Sequence, residues 1–133
     1  IENMPFLNSK PTELFAEYPS NFTNAIQANS MPKSVFLGND LREIHLAGRI
    51  TFTGDSAGPN NSLDKQKRAD IISSIYSSTD KYFFCDQNKK YGIDYIQYAP
   101  RMISVMPNTE NSFTAINGSS QQVTFIDIKK FCN

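Results

Sequence analysis

The two cysteines constrain this 133-residue chain more than any other feature of its sequence. Cys85 and Cys132 are the only thiols, and Cys132 is the penultimate residue. A disulfide between them would restrict the unfolded chain, and the chain-entropy model gives about 4 kcal/mol of stabilisation for a loop of this size. The bond would also hold the last residues in place, where free chain ends usually fray. We therefore expect a small domain with a carboxy-terminal disulfide.

The alternative to this disulfide is a pair of unpaired thiols buried in a cytosolic protein. The sequence has few Lys and Glu residues and many Asn, Ser and Thr residues, a composition that favours a secreted domain. A disulfide then implies an oxidising compartment. The long spacing between the cysteines also excludes the CxxC arrangements of redox and zinc-ribbon sites.

The length and the apolar content fit one domain over residues 1–133, because single cores commonly occupy about 100 to 200 residues. Ten Phe and six Tyr residues supply an interior that a disordered segment would lack. Thirteen basic residues balance thirteen acidic ones. No net field therefore favours binding to nucleic acid or to an anionic membrane. We expect any leader or membrane anchor to precede Ile1.

The first half of the chain predicts short helices and one strand. Three prolines in the first twenty residues predict against a long helix and favour one helical turn over 11–18. Asn21 then caps a second short helix in NFTNAIQA. A brief extended segment in MPKSVFLGND ends at a turn of Gly38, Asn39 and Asp40.

The middle of the chain changes from a strand pattern to a helix pattern. Alternating apolar residues in EIHLAGRITFT predict a strand over 43–53, interrupted near Gly48. Residues 54–64, GDSAGPNNSLD, are a loop by composition. KQKRADIISSIYSS then predicts a helix capped by Asp64. The apolar face of this helix would be formed by Ala69, Ile72, Ile75 and Tyr76.

The second half of the chain is rich in short strand candidates. They are separated by Gly, Asn and Pro signals, and comprise YFFC, YGIDYIQYA, RMISVM, SFTAI and QVTFIDI. Helices early in the chain and strands late favour the α+β class, with helices packed on one face of an antiparallel sheet.

The sequence contains no recognisable catalytic apparatus. Its single histidine, His45, lies within the predicted strand, and we interpret it as a solvent-facing or structural side chain. No GxSxG, HExxH, CxxC or phosphate-binding glycine motif occurs. Scattered carboxylates could still meet in space as a glycosidase pair, namely Asp40, Glu43, Asp80, Asp86, Asp94 and Asp127. We predict a protein that is not an enzyme and that has no cofactor and no metal site.

The stretch YPSNFTNAIQANSMPKSVFLGNDL (18–41), followed by LAGRITFTG (46–54), resembles the globular domain of type IV pilins, especially the type IVb class. In that family a Tyr-Pro-Ser segment leads to a short helix, a proline-containing stretch, a Gly-Asn turn and a strand of the form GGxxTV. Gly48 takes the second glycine position, and Ala47 replaces the first. The late cysteine pair resembles the disulfide that brackets the family's D-region. The likeness covers residues 15–54 and the cysteines.

The resemblance implies a subunit that is anchored in the inner membrane through a preceding apolar helix, which later packs at the core of a fibre. The globular domain would then face outward on the bacterial cell surface. Contacts with other pilin subunits, in homo- or hetero-filaments, would use the αβ-loop, roughly Ser30 to Arg42, and the D-region from Cys85 to Cys132. The residues expected in those contacts are Met31, Pro32, Gly38, Asn39, Asp40, Lys89 and Lys90.

The function implied by the resemblance is that of a major or minor filament subunit. Such a subunit would serve attachment, aggregation, or DNA uptake and conjugation, with a host-surface or glycan receptor as a further partner. The nearest alternative is a type II secretion pseudopilin. The alternative from another class is a small secreted domain that binds or hydrolyses glycans.

Overall fold

The computed structural model of the chain describes residues 12–53 and 64–133. The predicted loop 54–64 lies outside the described residues, apart from Asp64. The helices are α1 (Thr12–Asn29), α2 (Leu41–Leu46), α3 (Lys65–Tyr76), α4 (Lys81–Lys90) and α5 (Ile128–Cys132). The strands are β1 (Val35–Leu37), β2 (Ile50–Thr51), β3 (Tyr95–Gln97), β4 (Ser112–Ile116) and β5 (Gln122–Asp127).

The five strands form one mixed sheet in the order β2-β1-β3-β5-β4. β1 is parallel to both β2 and β3, whereas β5 is antiparallel to both β3 and β4. The predicted α+β class is confirmed, but the prediction of a purely antiparallel sheet is wrong. The connection from β1 to β2, residues 38–49, contains the helix α2. This crossover lets β2 run parallel to β1.

One face of the sheet is covered by α1 and α2. Phe22 and Ile26 of α1 are fully buried against aromatic residues of the central strands. Phe36 stacks on Tyr95 with ring centroids 4.7 Å apart, and Phe125 meets the Phe36 ring edge-on at 5.2 Å. Aromatic pairs of this kind contribute about 0.5–1.5 kcal/mol beyond their buried area. This aromatic cluster holds α1 on the sheet.

The opposite face of the sheet is covered by α3, α4 and α5. Leu37 and Ile96 from the strands pack there with Ile75 of α3 and Phe84 of α4. Phe131 of α5 meets the Phe84 ring edge-on at 5.7 Å. The prediction that helices cover only one face is therefore wrong. Alternate side chains of the central strands point to opposite sides, and both sides are buried.

The structure corrects the prediction of two short helices near the start of the chain. α1 runs unbroken from Thr12 to Asn29 and includes Pro19. An interior proline costs a helix about 3 kcal/mol. Burial of Phe22 and Ile26 offsets that cost, since a buried large apolar side chain contributes about 1.5–3 kcal/mol. Asn21 lies within the helix rather than capping it, and its Oδ1 accepts a hydrogen bond from Ile116 N at 3.3 Å.

The strand predicted over 43–53 is wrong for most of its length. Leu41–Leu46 form α2, and only Ile50–Thr51 form a strand. Ile44 and Ala47 are both buried, three residues apart, which is the spacing of a helix face. Gly48 follows with φ of +79°, a left-handed conformation that residues with a Cβ rarely adopt, and the chain turns there into β2.

The helix predicted after Asp64 is confirmed as α3. The Asp64 side chain accepts a hydrogen bond from Lys67 N at 2.7 Å, as expected of an N-cap. The buried face is shifted from the predicted one, because Ala69 is exposed and Ile72 is only half-buried. The buried residues of α3 are Arg68, Ile71, Ile75 and Tyr76.

The strand candidates of the second half are confirmed only in part. SFTAI forms β4, QVTFIDI contains β5, and YGIDYIQYA contains β3. YFFC lies instead in α4, whose N-cap residue Asp80 accepts a hydrogen bond from Tyr82 N at 3.0 Å. RMISVM contains no strand.

The predicted disulfide is confirmed. Cys85 of α4 is bonded to Cys132 of α5, with an S–S distance of 2.08 Å and a Cα–Cα distance of 5.8 Å. The bond joins two helices on the same face of the sheet. It closes a segment that contains β3, β4 and β5, which are three of the five strands.

Candidate functional site

The predicted αβ-loop, Ser30 to Arg42, contains β1 and the first residues of α2. Met31 is 73 % exposed, and Pro32 and Asn39 are also exposed. Gly38 is buried, and a Cβ at this position would lie 2.8 Å from Gln97 Oε1, which is too close. The structure thus makes Met31, Pro32 and Asn39 available for contacts, whereas Gly38 serves close packing.

A buried arginine fixes the start of this segment. Arg49 is 7 % exposed. Its guanidinium donates hydrogen bonds to Ala47 O and Ser30 O, each at 2.7 Å, and to Ser30 Oγ at 2.9 Å. The two carbonyls follow α2 and α1, and the carbonyl end of a helix carries partial negative charge that favours a cation. Arg49 therefore joins the ends of α1 and α2.

Asp40 connects the αβ-loop to the turn between β4 and β5, which belongs to the predicted D-region. Asp40 Oδ1 accepts a hydrogen bond from Asn117 Nδ2 at 3.3 Å. Glu43 Oε2 accepts one from Gly118 N at 3.0 Å. Burial raises the pKa of Asp40, and repulsion from Glu43 raises it further, whereas the Asn117 hydrogen bond lowers it. The structure thus brings one predicted contact residue, Asp40, onto the D-region of its own chain.

Asp40→Asn is expected to stabilise the protein at neutral pH by less than about 1 kcal/mol, since the site is partly exposed and solvent screens the charge. The raised pKa means that the folded state binds a proton more tightly than the unfolded state, so ionised Asp40 opposes folding. The advantage of Asn should therefore disappear as pH falls through the folded-state pKa towards the ordinary value of 3.8. Urea unfolding of the original protein and of Asp40→Asn across this pH range measures the difference in their free energies of unfolding.

Asp40→Ala serves as the matched control, because it removes both the charge and the acceptor of the Asn117 hydrogen bond. It should be less stable than Asp40→Asn at neutral pH. If Asp40→Asn lowers stability at neutral pH and recovers in acid, the assigned direction of the pKa shift is wrong.

Two buried tyrosines act as hydrogen-bond donors rather than as titrating groups. Burial raises the pKa of Tyr76 to about 12, although nearby Arg101 opposes the shift. The Tyr76 hydroxyl donates to Gln97 O at 2.6 Å. Burial, together with the carboxylates of Asp127 and Asp94, also raises the pKa of Tyr95. The Tyr95 hydroxyl donates to Asn29 O at 2.9 Å and so ties β3 to the end of α1.

The predicted D-region presents both predicted lysines and two exposed apolar residues that the sequence did not predict. Lys89 and Lys90 are exposed at the carboxyl end of α4, where a cation is favourable. Ile103 and Met106 are 72 % and 77 % exposed in the connection between β3 and β4. Their neighbours Met102 and Val105 are buried. In RMISVM, apolar pairs therefore recur every three residues with one member buried and the next exposed, and this spacing is the sequence signal for Ile103 and Met106.

The candidate glycosidase carboxylates are mostly engaged with the backbone. Asp80 and Asp127 are the N-caps of α4 and α5. Asp94 Oδ2 accepts a hydrogen bond from Val35 N at 2.8 Å and so supports the pairing of β1 and β3. His45 lies exposed on α2, with Nε2 3.5 Å from Thr51 Oγ1. Within the described residues, no group of three or more His, Cys, Asp or Glu is placed to hold a metal ion.

Comparisons with known proteins do not assign the chain to a family. No protein-family model, curated protein or solved structure matches it. In the part of the chain that the structure describes, no helix is long and apolar enough to cross a membrane. The resemblance to type IV pilins is confined to the motifs of residues 15–54 and to the cysteine pair.

Proposed function

We propose that this protein is the globular domain of a type IV pilin-like filament subunit, which works by docking its surface onto neighbouring subunits. The observation that carries the proposal is the position of three of the six large apolar side chains that are exposed in the described residues. Met31 lies in the αβ-loop, and Ile103 and Met106 lie in the D-region, and each is more than 70 % exposed. Large apolar side chains in water favour association when a partner can cover them. These are the two segments to which the resemblance assigns subunit contacts.

The way α1 joins the domain supports the same proposal. A filament subunit needs a firm connection between the helix in the fibre core and the outward domain. Phe22 and Ile26 bury one side of α1 in the sheet, and Arg49 binds the carbonyl of Ser30 just beyond its end. This end of α1 is therefore held both by packing and by hydrogen bonds.

The surface around Met31 in the αβ-loop differs in sequence and structure from the surface around Ile103 and Met106 in the D-region. A contact between these two different surfaces would be heterologous. When one surface docks onto a different surface of the next copy, the subunits add head to tail and form a filament if the rotation does not close. The chain has 13 basic and 13 acidic residues, so no net charge repels one copy from the next. The proposed contact places Met31 of one subunit near Ile103 of its neighbour.

Chemical cross-linking on cells tests this contact. The full-length protein would carry Met31→Cys, Ile103→Cys or both, and a short bismaleimide would be added to intact cells. Because each link needs one cysteine from each surface, the double variant should give a ladder of multimers and each single variant should give none. The matched control combines Met31→Cys with Thr79→Cys, an exposed position between α3 and α4.

The ladder should be confined to the Met31 and Ile103 pair. A single band of dimers would indicate a closed, two-fold contact and would contradict the filament proposal. Equal ladders from the Thr79 control would show that the cross-links come from random collisions. The native disulfide should stay closed in each variant, as judged by alkylation and intact mass.

A further inference from the structure

The three parallel strands β2, β1 and β3 end at the same edge of the sheet. Beyond β1 the chain leads to β2 on one side, and beyond β3 it leads to β4 and β5 on the other side. The two connections also cover opposite faces of the sheet, because Ile44 packs with α1 whereas Met102 packs with α3 and α4. In open sheets with parallel strands, ligands usually bind in the crevice at the carboxyl ends, where neighbouring strands lead away in opposite directions.

A cavity of about 210 Å³ lies in this crevice. Its lining includes residues that follow each of the three parallel strands, namely Gly38 and Asn39 after β1, Thr53 after β2, and Tyr98 and Ala99 after β3. The cavity adjoins a groove of about 600 Å³ along α3, and the two share Ile72, Tyr76 and Arg101. The groove is in the size range of small-molecule sites, about 300–1,000 Å³.

Arg101 is the one charged residue among the described residues that line the cavity and the groove. Its guanidinium lies over the Tyr76 ring, 4.6 Å from the ring centroid. The Tyr76 hydroxyl donates to Gln97 O at 2.6 Å, so this aromatic support is itself held by β3. Stacking uses the flat face of a guanidinium and leaves the N–H groups at its edge for two parallel hydrogen bonds to an oxyanion. Arg101 is therefore placed to bind a negative group.

Neutral donors around Arg101 favour the same kind of group. Asn39 and Thr53 are exposed residues of the cavity wall, and their side chains carry N–H and O–H donors. Gln97 Oε1 accepts a hydrogen bond from Asn39 N at 2.9 Å, which identifies the other end of this amide, Nε2, as a donor. The cavity wall is therefore rich in hydrogen-bond donors.

No carboxylate lines the described part of the cavity or of the groove. Two carboxylates directly follow lining residues in the sequence, but both are engaged elsewhere. Asp40 accepts a hydrogen bond from Asn117 Nδ2, and Asp70 accepts one from Gln66 Nε2. A ligand with a negative group therefore gains attraction from Arg101 without facing a negative charge in the lining.

We propose that this crevice binds a small organic anion, with its carboxylate or phosphate group on Arg101 and an apolar body along the groove. The fork of the guanidinium matches the geometry of either oxyanion. Ala69, Ile72 and the Tyr76 ring line the groove and supply apolar surface for the body of the ligand. The proposal goes beyond filament assembly and does not depend on it, because neither Met31 nor Ile103 lines the crevice.

Nitrogen-15 NMR titration of the 133-residue chain tests the proposal. The anionic probes are benzoate and phenyl phosphate. Benzyl alcohol and benzylamine are the neutral and cationic matches, and acetate lacks the apolar body. At least one anionic probe should give saturable shifts in amides of 38–39, 72–77 and 97–99, with a dissociation constant of about 1 mM or lower. Benzyl alcohol, benzylamine and acetate should each bind about tenfold more weakly or less tightly still.

Arg101→Gln should weaken binding of the anionic probe by about tenfold, because it removes both the charge and the fork of N–H donors. Arg101→Lys should recover only part of that loss, because Lys keeps the charge without the planar fork. Arg42→Gln is the matched control. Arg42 is also exposed, but it lies on α2 and lines neither the cavity nor the groove, so this variant should bind like the original protein.

Three results would overturn the proposal. They are failure of both anionic probes, equally tight binding of benzyl alcohol, benzylamine or acetate, and equal losses from Arg101→Gln and Arg42→Gln. Arg101 is exposed, so its substitution should leave the fold intact, and unchanged amide shifts outside the crevice check this. The cross-linked ladder of the Met31 and Ile103 pair is measured without any of these probes, so the two proposals fail separately.

Discussion

Replacing both Cys85 and Cys132 with serine is expected to lower the free energy of unfolding by about 4 kcal/mol. The disulfide spans 47 residues, and its removal lets the unfolded chain sample many more conformations. The folded state should also loosen locally. α5 has five residues, which is too short for a stable isolated helix, so it depends on Phe131 packing and on the bond to α4.

Equilibrium urea unfolding of the oxidised protein and the double serine variant measures this loss. Amide hydrogen exchange should show a matching local effect. Relative to the oxidised protein, the double serine variant should exchange faster in α5, with a smaller change in α3, which contains neither cysteine. A loss of less than about 1 kcal/mol would show that the disulfide is dispensable, against the entropy estimate for a loop of this size. Each single serine variant should lose as much stability as the double variant, because either one breaks the same bond.

Phe125→Ala is expected to destabilise the protein by about 3–5 kcal/mol, the range for truncating a fully buried Phe. Phe125 lies on the internal strand β5, and none of its surface is exposed. Its ring contacts Phe36 at 5.2 Å, Phe113 at 5.5 Å and Phe22 at 6.1 Å between centroids. Phe22 belongs to α1, so the cavity should weaken the attachment of this helix as well as the sheet.

The matched control for this variant is Phe113→Ala, on the edge strand β4, where the side chain is only half-buried. It should lose clearly less stability in urea unfolding. Phe125→Leu should fall between the two alanine variants, because it keeps most of the apolar volume. Equal losses from Phe125→Ala and Phe113→Ala would contradict the central position of Phe125 in the core.

Several elements could be predicted from the sequence because their signals are local. The Asp64 side chain caps α3 by accepting a hydrogen bond from Lys67 N, three residues on, and the alternation of QVTFIDI is enough to indicate β5. The disulfide followed from the cysteine count. The buried face of α3 could not be predicted, because it includes a charged residue, Arg68. The Arg68 guanidinium donates a hydrogen bond to Phe52 O at 3.1 Å, and the two residues are 16 positions apart in the sequence.

The misread segments are those in which packing overrides a local pattern. Ile44 and Leu46 alternate as in a strand, yet the chain forms α2, which buries Ile44 and leaves Leu46 66 % exposed. Pro19 predicts a break, yet the burial of Phe22 maintains α1. The bend at Gly38 and Asn39 could be located from its residue types. The contact of Asp40 and Glu43 with the turn between β4 and β5 could not, because it joins residues 77 and 75 positions apart.

The place of β5 in the sheet determines when the protein can fold during its synthesis. β5 is made after β3 and β4 but lies between them, and β4 pairs with no other strand in the described part of the chain. The ribosome must therefore release residues 122–127 before the sheet can close. Until then β3 and β4 have no strand between them, and the Phe113 ring lacks its packing against Phe125. Cys132 follows β5 in the sequence, so the disulfide cannot form before residues 122–127 have been synthesised.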